Sequence, residues 1–325
     1  MGQSIMKNII YISPVAFLLA ACAGVGGGGS SGGSTTPINY VNFNSPGASQ
    51  TLSANMLTAE GTEDFTANGG ITNGSYGSPE LATGSISAST DGSGNYNRLQ
   101  IAGKNSSAIA DQANSSASML TGTNPSFGSY QQVELTSSDG KQHAKLVNAD
   151  KFNYQTFGVW DNFTSSTPQN KSGNFGIFNT GTATPLSVLS SKTGTASFTG
   201  DAYGINLENF SINSTQSYNN IETTSTVALT ANFSNRTGTI NFTNSTASRG
   251  SVDLSATEAA AFNMSGNLAW DNSNSLFTGS LTRANGEKGT LNGRFYGPNA
   301  DEAGGVFKTS GSTGDYIGVF GAKKQ

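Results

Sequence analysis

From about Gly173 onward the chain alternates in polarity. Thr195-Ala196-Ser197-Phe198-Thr199-Gly200 and Gly238-Thr239-Ile240-Asn241-Phe242 set apolar or small residues at every second position, with Ser, Thr and Asn between them. A period of two belongs to strands with one face buried and the other in water. The pattern predicts strands at Gly194–Tyr203, Ser225–Phe233, Gly238–Thr243, Ala261–Trp270, Leu276–Arg283, Gly289–Tyr296, Gly304–Thr309 and Tyr316–Phe320. Short turns such as Asn235-Arg236-Thr237-Gly238, Asp271-Asn272-Ser273-Asn274 and Asn285-Gly286-Glu287-Lys288 separate them. Eight strands in hairpin succession form an up-and-down meander, and closing it into a barrel removes its edges. No long helical pattern lies between the strands, which argues against a parallel α/β sheet. A membrane-spanning barrel needs an apolar residue at each outward position over about 9–11 residues. Here many outward positions are Ser, Thr or Asn, which favours a soluble barrel.

The earlier part of the chain is less regular. Short alternating segments, Tyr96–Ala102 and Gln131–Leu135, lie among Gly, Ser and Asn turns. Asp139-Gly140 between Val133-Glu134-Leu135 and Ala144–Val147 predicts a hairpin. Phe152–Trp160 is the densest aromatic stretch, and Ser107–Met119 is a candidate short helix diluted by Ser and Asn. The reading is therefore all-β: a smaller β-rich domain over residues 37–172 followed by an eight-stranded antiparallel barrel over residues 173–325.

The first residues read as an address. Lys7 precedes an apolar run, Ile9–Ala20, too short to span a bilayer, and Leu19-Ala20-Ala21-Cys22 closes it. Cys22 is the only cysteine, so it forms no internal disulfide. Residues 24–34 are almost wholly Gly and Ser, a flexible tether that builds no core. The expected order is a signal peptide at 1–21, a lipidated Cys22 with its tether at 22–36, then the folded domains.

Composition narrows the function. Among 325 residues there are 42 Gly and only 11% charged side chains, with a net charge of −4 that becomes −5 once Lys7 is cleaved away. The positive field that nucleic-acid binding needs is missing, so that class is set aside. The polarity comes from uncharged Ser, Thr and Asn, while 18 Phe and 10 Tyr supply material for a core. Such a composition suits extracellular or outer-membrane β-structure.

Four stretches carry resemblances. Gly293-Arg294-Phe295-Tyr296-Gly297-Pro298-Asn299-Ala300-Asp301-Glu302-Ala303-Gly304-Gly305-Val306-Phe307 resembles the signature near the end of bacterial transferrin-binding protein B lobes. The final Val319–Gln325 resembles that family's chain end, and Thr193–Gly200 the strand that opens its barrel. Leu19-Ala20-Ala21-Cys22 resembles a bacterial lipobox, which implies diacylglycerol on Cys22 and mooring to the lipid bilayer. The resemblance implies one lobe, a handle domain followed by a barrel, where transferrin-binding protein B has two. It also implies a cell-surface lipoprotein of the outer membrane that binds an iron- or haem-carrying protein non-covalently, as co-receptor to an outer-membrane transporter. Related single-lobe lipoproteins vary in ligand, one recruiting a complement regulator, so the alternative is a module for another host or environmental protein, an immune regulator or adhesion target.

The signature also reads structurally. Pro298 ends a strand because it has no N–H for the ladder. Gly297, Gly304 and Gly305 allow positive φ or close backbone approach, and Glu302 is placed to accept turn amides or to pair with Arg294. Phe295 and Tyr296 belong to the strand before the turn. For catalysis the sequence offers little, and no enzyme is expected. His143 is the only histidine, which excludes multi-histidine metal sites. Beside Lys141 and Lys145 it reads as a surface histidine, or else as an axial haem ligand with Tyr96 or Tyr154 as its second ligand. No motif calls for a resident cofactor; haem enters only as a ligand.

Overall fold

A computed structural model describes residues 50–325, apart from 66–70, 91–95, 104–106, 112–117, 125–127, 138, 140, 148–151, 168–169, 208–209, 212–220, 250–251 and 312–313. Cys22 and the tether fall outside these residues. The first domain is built from β1 (Gln50–Phe65), β2 (Ile71–Tyr76), β3 (Glu80–Thr90), β4 (Tyr96–Ala102), β5 (Ser107–Asp111), β6 (Ser118–Asn124), β7 (Gly128–Thr136), β8 (His143–Val147), β9 (Gln155–Asp161), β10 (Thr164–Thr167) and β11 (Asn170–Gly181). The second contains α1 (Leu186–Ser191), β12 (Thr195–Leu207), β13 (Phe210–Ser211), β14 (Ile221–Asn232), β15 (Thr237–Arg249), β16 (Val252–Asp253), α2 (Ala256–Ala260), β17 (Met264–Trp270), β18 (Leu276–Arg283), β19 (Lys288–Tyr296), β20 (Glu302–Gly311) and β21 (Gly314–Lys324).

The second domain is the closed meander that the alternation predicts. Strands β12, β14, β15, β17, β18, β19, β20 and β21 each pair antiparallel with the next, and β21 returns to β12 to close the ring. All eight predicted segments lie in these strands, mostly longer than predicted. The segment beginning at Ala261 starts as strand only at Met264, because α2 precedes it. Inward residues fill the ring with aromatics: Phe198, Phe233, Phe242, Phe277, Phe295, Phe307, Tyr316 and Phe320 are all buried. Ring contacts at 4.9–5.9 Å, such as Phe242–Phe307 and Phe198–Phe295, make this a packed core rather than a channel. Outward positions such as Thr195, Ser197, Thr199, Thr230, Thr239, Asn241, Ser265 and Thr278 are exposed and polar, unlike the apolar band of a lipid-facing barrel.

One end of the ring is plugged. Ser255 and Glu258 form a capping box that starts α2, and Ala259 and Phe262 then enter the core. Arg283 sits 4.6 Å over the Phe262 ring and 5.0 Å over Tyr316 and is ion-paired to Glu287. Its desolvated guanidinium is thus held by a carboxylate and two π faces.

The handle is an open sheet, of twelve strands among the described residues, in the order β5-β4-β3-β1-β11-β9-β8-β7-β6, with β2, β10 and β13 pairing alongside. It curls until its two arms meet. The Ile109 amide of β5 donates to Gln142 Oε1 in the β7–β8 turn at 2.7 Å. Leu99, Ile101, Ala108, Leu135, Leu146, Trp160 and Phe178 fill the space enclosed. The hairpin predicted around Asp139 is present, with Thr136 opposite His143. The helix expected over Ser107–Met119 is instead two strands, β5 and β6. Ser107-Ala108-Ile109-Ala110-Asp111 pairs with β4 and turns Ala108 into the core, and the segment lacks the apolar stripe a helix would need. Strand β11 crosses the 172/173 boundary and pairs with β1 and β9, so the handle sheet runs to Gly181. Conversely, β13 reaches from the barrel back to β2, setting Phe210 opposite Gly74.

Candidate functional site

The transferrin-binding-protein-like signature is where the two domains are joined. Side chains along β19 and β20 alternate between the barrel interior and the handle. Phe295 points inward against Phe198, Phe233, Trp270 and Phe277. Tyr296, its neighbour, points outward, and its hydroxyl donates to Asn179 Oδ1 of β11 at 2.5 Å. Asn179 Nδ2 donates to Gln155 Oε1 at 3.0 Å, and Gln155 Nε2 donates to the Ala303 carbonyl at 2.9 Å. Gln155, Asn179 and Tyr296 are fully buried, so each bond replaces one lost to water.

The outward row of β20 continues the seam. Glu302 accepts the backbone N–H of Asn153 at 2.7 Å and of Tyr154 at 3.0 Å. Burial pushes its carboxyl up, opposed by these amides and by Lys323. Gly304 lies against Gln155 and Asn179, where a Cβ would collide with the glutamine side chain. Val306 joins Leu57, Phe157, Ile177, Ile317 and Val319 in an apolar cluster between the sheets. Lys308 Nζ donates to the Pro79 carbonyl at 2.9 Å. In the turn, Gly297 has φ +83 and faces the Tyr154 ring. Its carbonyl accepts from Thr184 Oγ1 at 2.7 Å. Pro298 follows as the strand ends, and Gly305 continues β20 opposite Gly293.

Elsewhere the predicted residues stand apart. His143 opens β8, with Nδ1 3.0 Å from Asp161 Oδ1 across the strand pair. Tyr154 precedes the other end of β9, which at ~3.3 Å per residue puts it about 20 Å from His143, too far to share one iron. Tyr96 opens β4, and its side chain lies outside the described residues. Asp301 and Glu302 form no carboxylate pair, since Asp301 Oδ2 accepts from the Asn299 amide at 3.0 Å while Glu302 faces the handle. Trp160 is buried in the handle, and Trp270 packs edge-on to Phe295. Among the described residues no group of three or more His, Cys, Asp or Glu is placed to hold a metal ion.

Among the described residues, clefts open at two places on the surface. One, of 260 Å³, lies on the handle between Thr58, Glu60, Ser78, Glu80 and Asn174. Leu81, beside it in sequence, is one of the exposed large hydrophobic residues. The other, of 330 Å³, lies over β14 and β15 on the barrel wall. Gln155 and Asn179 escaped the sequence reading; their only signal is an amide close in the chain to Phe157 and Phe178.

Residues 191–324 match the family described as the C-lobe and N-lobe β-barrels of transferrin-binding protein B. No curated protein matches the chain. Among solved structures, the chain is similar to isotype 1 transferrin-binding protein B from serogroup B Neisseria meningitidis, at 14% identity and a TM-score of 0.40, over 86% of this chain and 77% of that one. A mutant transferrin-binding protein B from Haemophilus parasuis Hp5 matches at 12% identity and a TM-score of 0.39, over 86% and 77% of the two chains. The N-lobe of lactoferrin-binding protein B from Moraxella bovis matches at 14% identity and 0.39, over 84% and 99%. The family match thus spans the barrel, from the end of α1 to the end of β21.

Proposed function

We propose that the protein is a surface lipoprotein of the bacterial outer membrane, moored through an acylated Cys22, which captures an iron- or haem-carrying protein by non-covalent contact. In this reading the captured protein is presented to an outer-membrane transporter. The observation that carries the proposal is the family match over the barrel, supported by the lipobox-like Leu19-Ala20-Ala21-Cys22 and the Gly/Ser tether after it. The barrel is solid, so the ligand is a surface partner rather than a guest inside the ring. The handle offers the contact face: its cleft sets Glu60 and Glu80 beside Thr58, Ser78 and Asn174, a polar rim for a protein partner.

The test is retention on intact cells displaying the full chain, offered iron-loaded transferrin, lactoferrin, haemoglobin and free haem. Saturable retention of one of these, lost on protease shaving and in Cys22→Ser cells, is the expected result. Retention of none of them, or recovery of the chain with an unmodified Cys22 thiol in culture fluid, overturns it. Absorbance near the Soret band of the purified chain with haem, compared with that of His143→Ala, decides whether His143 takes part.

A further inference from the structure

The cleft on the barrel wall is a two-row hydroxyl surface built by strand register. Tyr203 of β12 stands opposite Thr224 of β14, which stands opposite Thr246 of β15. In the adjacent row Glu222 faces Ser248, and Ser248 faces Asp253 of β16. Directly opposed residues share a face of the sheet, as do residues two apart on one strand, so both rows open to the same side. Between Thr224 and Thr226 the register slips, and Asn244 opposite takes φ +52. Such a bulge bends the pair and re-aims its side chains. The first row is ordered in advance: Thr224 Oγ1 lies 2.8 Å from Thr246 Oγ1. Each hydroxyl has one donor and two acceptor sites, so a paired hydroxyl still has capacity for a ligand. The lining continues onto Leu254 and Ala259 of α2, which pack toward the barrel core. No lysine or arginine is among the described lining residues, while Glu222 and Asp253 bring two carboxylates.

We propose that this cleft binds a hexose-sized sugar residue, neutral or bearing an amine. Its 330 Å³ lies at the lower end of the range for small-molecule pockets, about 300–1,000 Å³. Glu222 and Asp253 accept from the sugar's amine or hydroxyls, the Thr and Ser hydroxyls exchange hydrogen bonds with the rest, and Tyr203 supplies an apolar face. A carboxylated sugar meets two like charges and, among the described lining residues, no cation to offset them, so it is rejected. The site shares no lining residue with the handle cleft, and a negative result for iron-carrier capture leaves it standing.

Saturation-transfer NMR on the full chain with glucosamine, N-acetylglucosamine, glucose and N-acetylneuraminic acid tests this. Glucosamine and N-acetylglucosamine should receive saturation, and N-acetylneuraminic acid none. The double variant Glu222→Gln/Asp253→Asn changes two exposed side chains, keeps the melting temperature and raises the glucosamine Kd about tenfold or more, the loss of a charge-assisted hydrogen bond. Ser248→Lys, which sets a cation in the second row, should abolish glucosamine binding in a folded protein. Absence of transfer to all three uncarboxylated sugars, equal transfer to N-acetylneuraminic acid, or unchanged glucosamine affinity in both variants overturns the proposal.

Discussion

The barrel and the handle are both antiparallel sheets, yet they are assembled by opposite means. Every barrel strand pairs with its neighbours around the ring, and most of these pairings are hairpins with a turn of a few residues. In the handle, β1 pairs with β11, so Ala54 lies opposite Thr180 and Leu57 opposite Ile177. Closing that loop costs chain entropy before any contact repays it. The barrel is sealed and filled with aromatic rings, whereas the handle is open, ends in the edge strands β5 and β6, and has its arms joined at one described point by the hydrogen bond from the Ile109 N–H to Gln142 Oε1. The difference separates a closed, densely packed ring from a sheet with two free edges. The signature at Phe295–Val306 joins them, with alternate residues committed to each side.

The comparison is broken most severely at the ring core. Phe295→Ala removes a ring packed against four aromatic neighbours and should cost about 3–5 kcal/mol in urea unfolding. Handle and barrel should then unfold together, because the handle is seated on β20 and β21. Next is the seam itself. Glu302→Ala strips the acceptor from the Asn153 and Tyr154 amides, at about 1–3 kcal/mol for each amide left buried and unpaired. Limited proteolysis should then cut near 150–154 while the barrel stays intact.

A smaller effect comes from pH. The folded state raises the Glu302 pKa through burial, so it holds more protons than the unfolded chain between the ordinary carboxylate range and the raised value. This contribution to stability is full at low pH and is lost as pH rises through that window. Wild type should therefore lose stability relative to Glu302→Gln on going from acid toward neutral pH, measured by urea titration at a series of pH values. Smallest is Thr184→Val, which removes one neutral hydrogen bond to Gly297 and should lower stability by about 1 kcal/mol.

The barrel was legible because its information is local. Alternation in Thr195–Gly200 marks the buried face, and turns such as Asn285–Lys288 fix the neighbour, so register follows from the hairpin. The handle hides its pairing. Nothing in Ala54–Asp64 names Asn170–Thr180 as its partner, and Ser107–Asp111 shows its strand character only when β4 lies beside it. Glu302 and the glycines of the signature were legible as a motif, although their partners were not: Gln155 and Asn179 are ordinary amides until the fold buries them against Ala303 and Tyr296.

The claim on which the rest depends is that a sealed barrel carries an openable handle. Peptide-resolved hydrogen exchange on the full chain tests it most directly. The account predicts that amides of β12, β14, β19, β20 and β21 exchange slowest and together, those of β9 and β11 next, and those of β5 and β6 fastest. Barrel amides that exchange as fast as β5 and β6, or a β12–β21 pair that opens ahead of the handle, would contradict it.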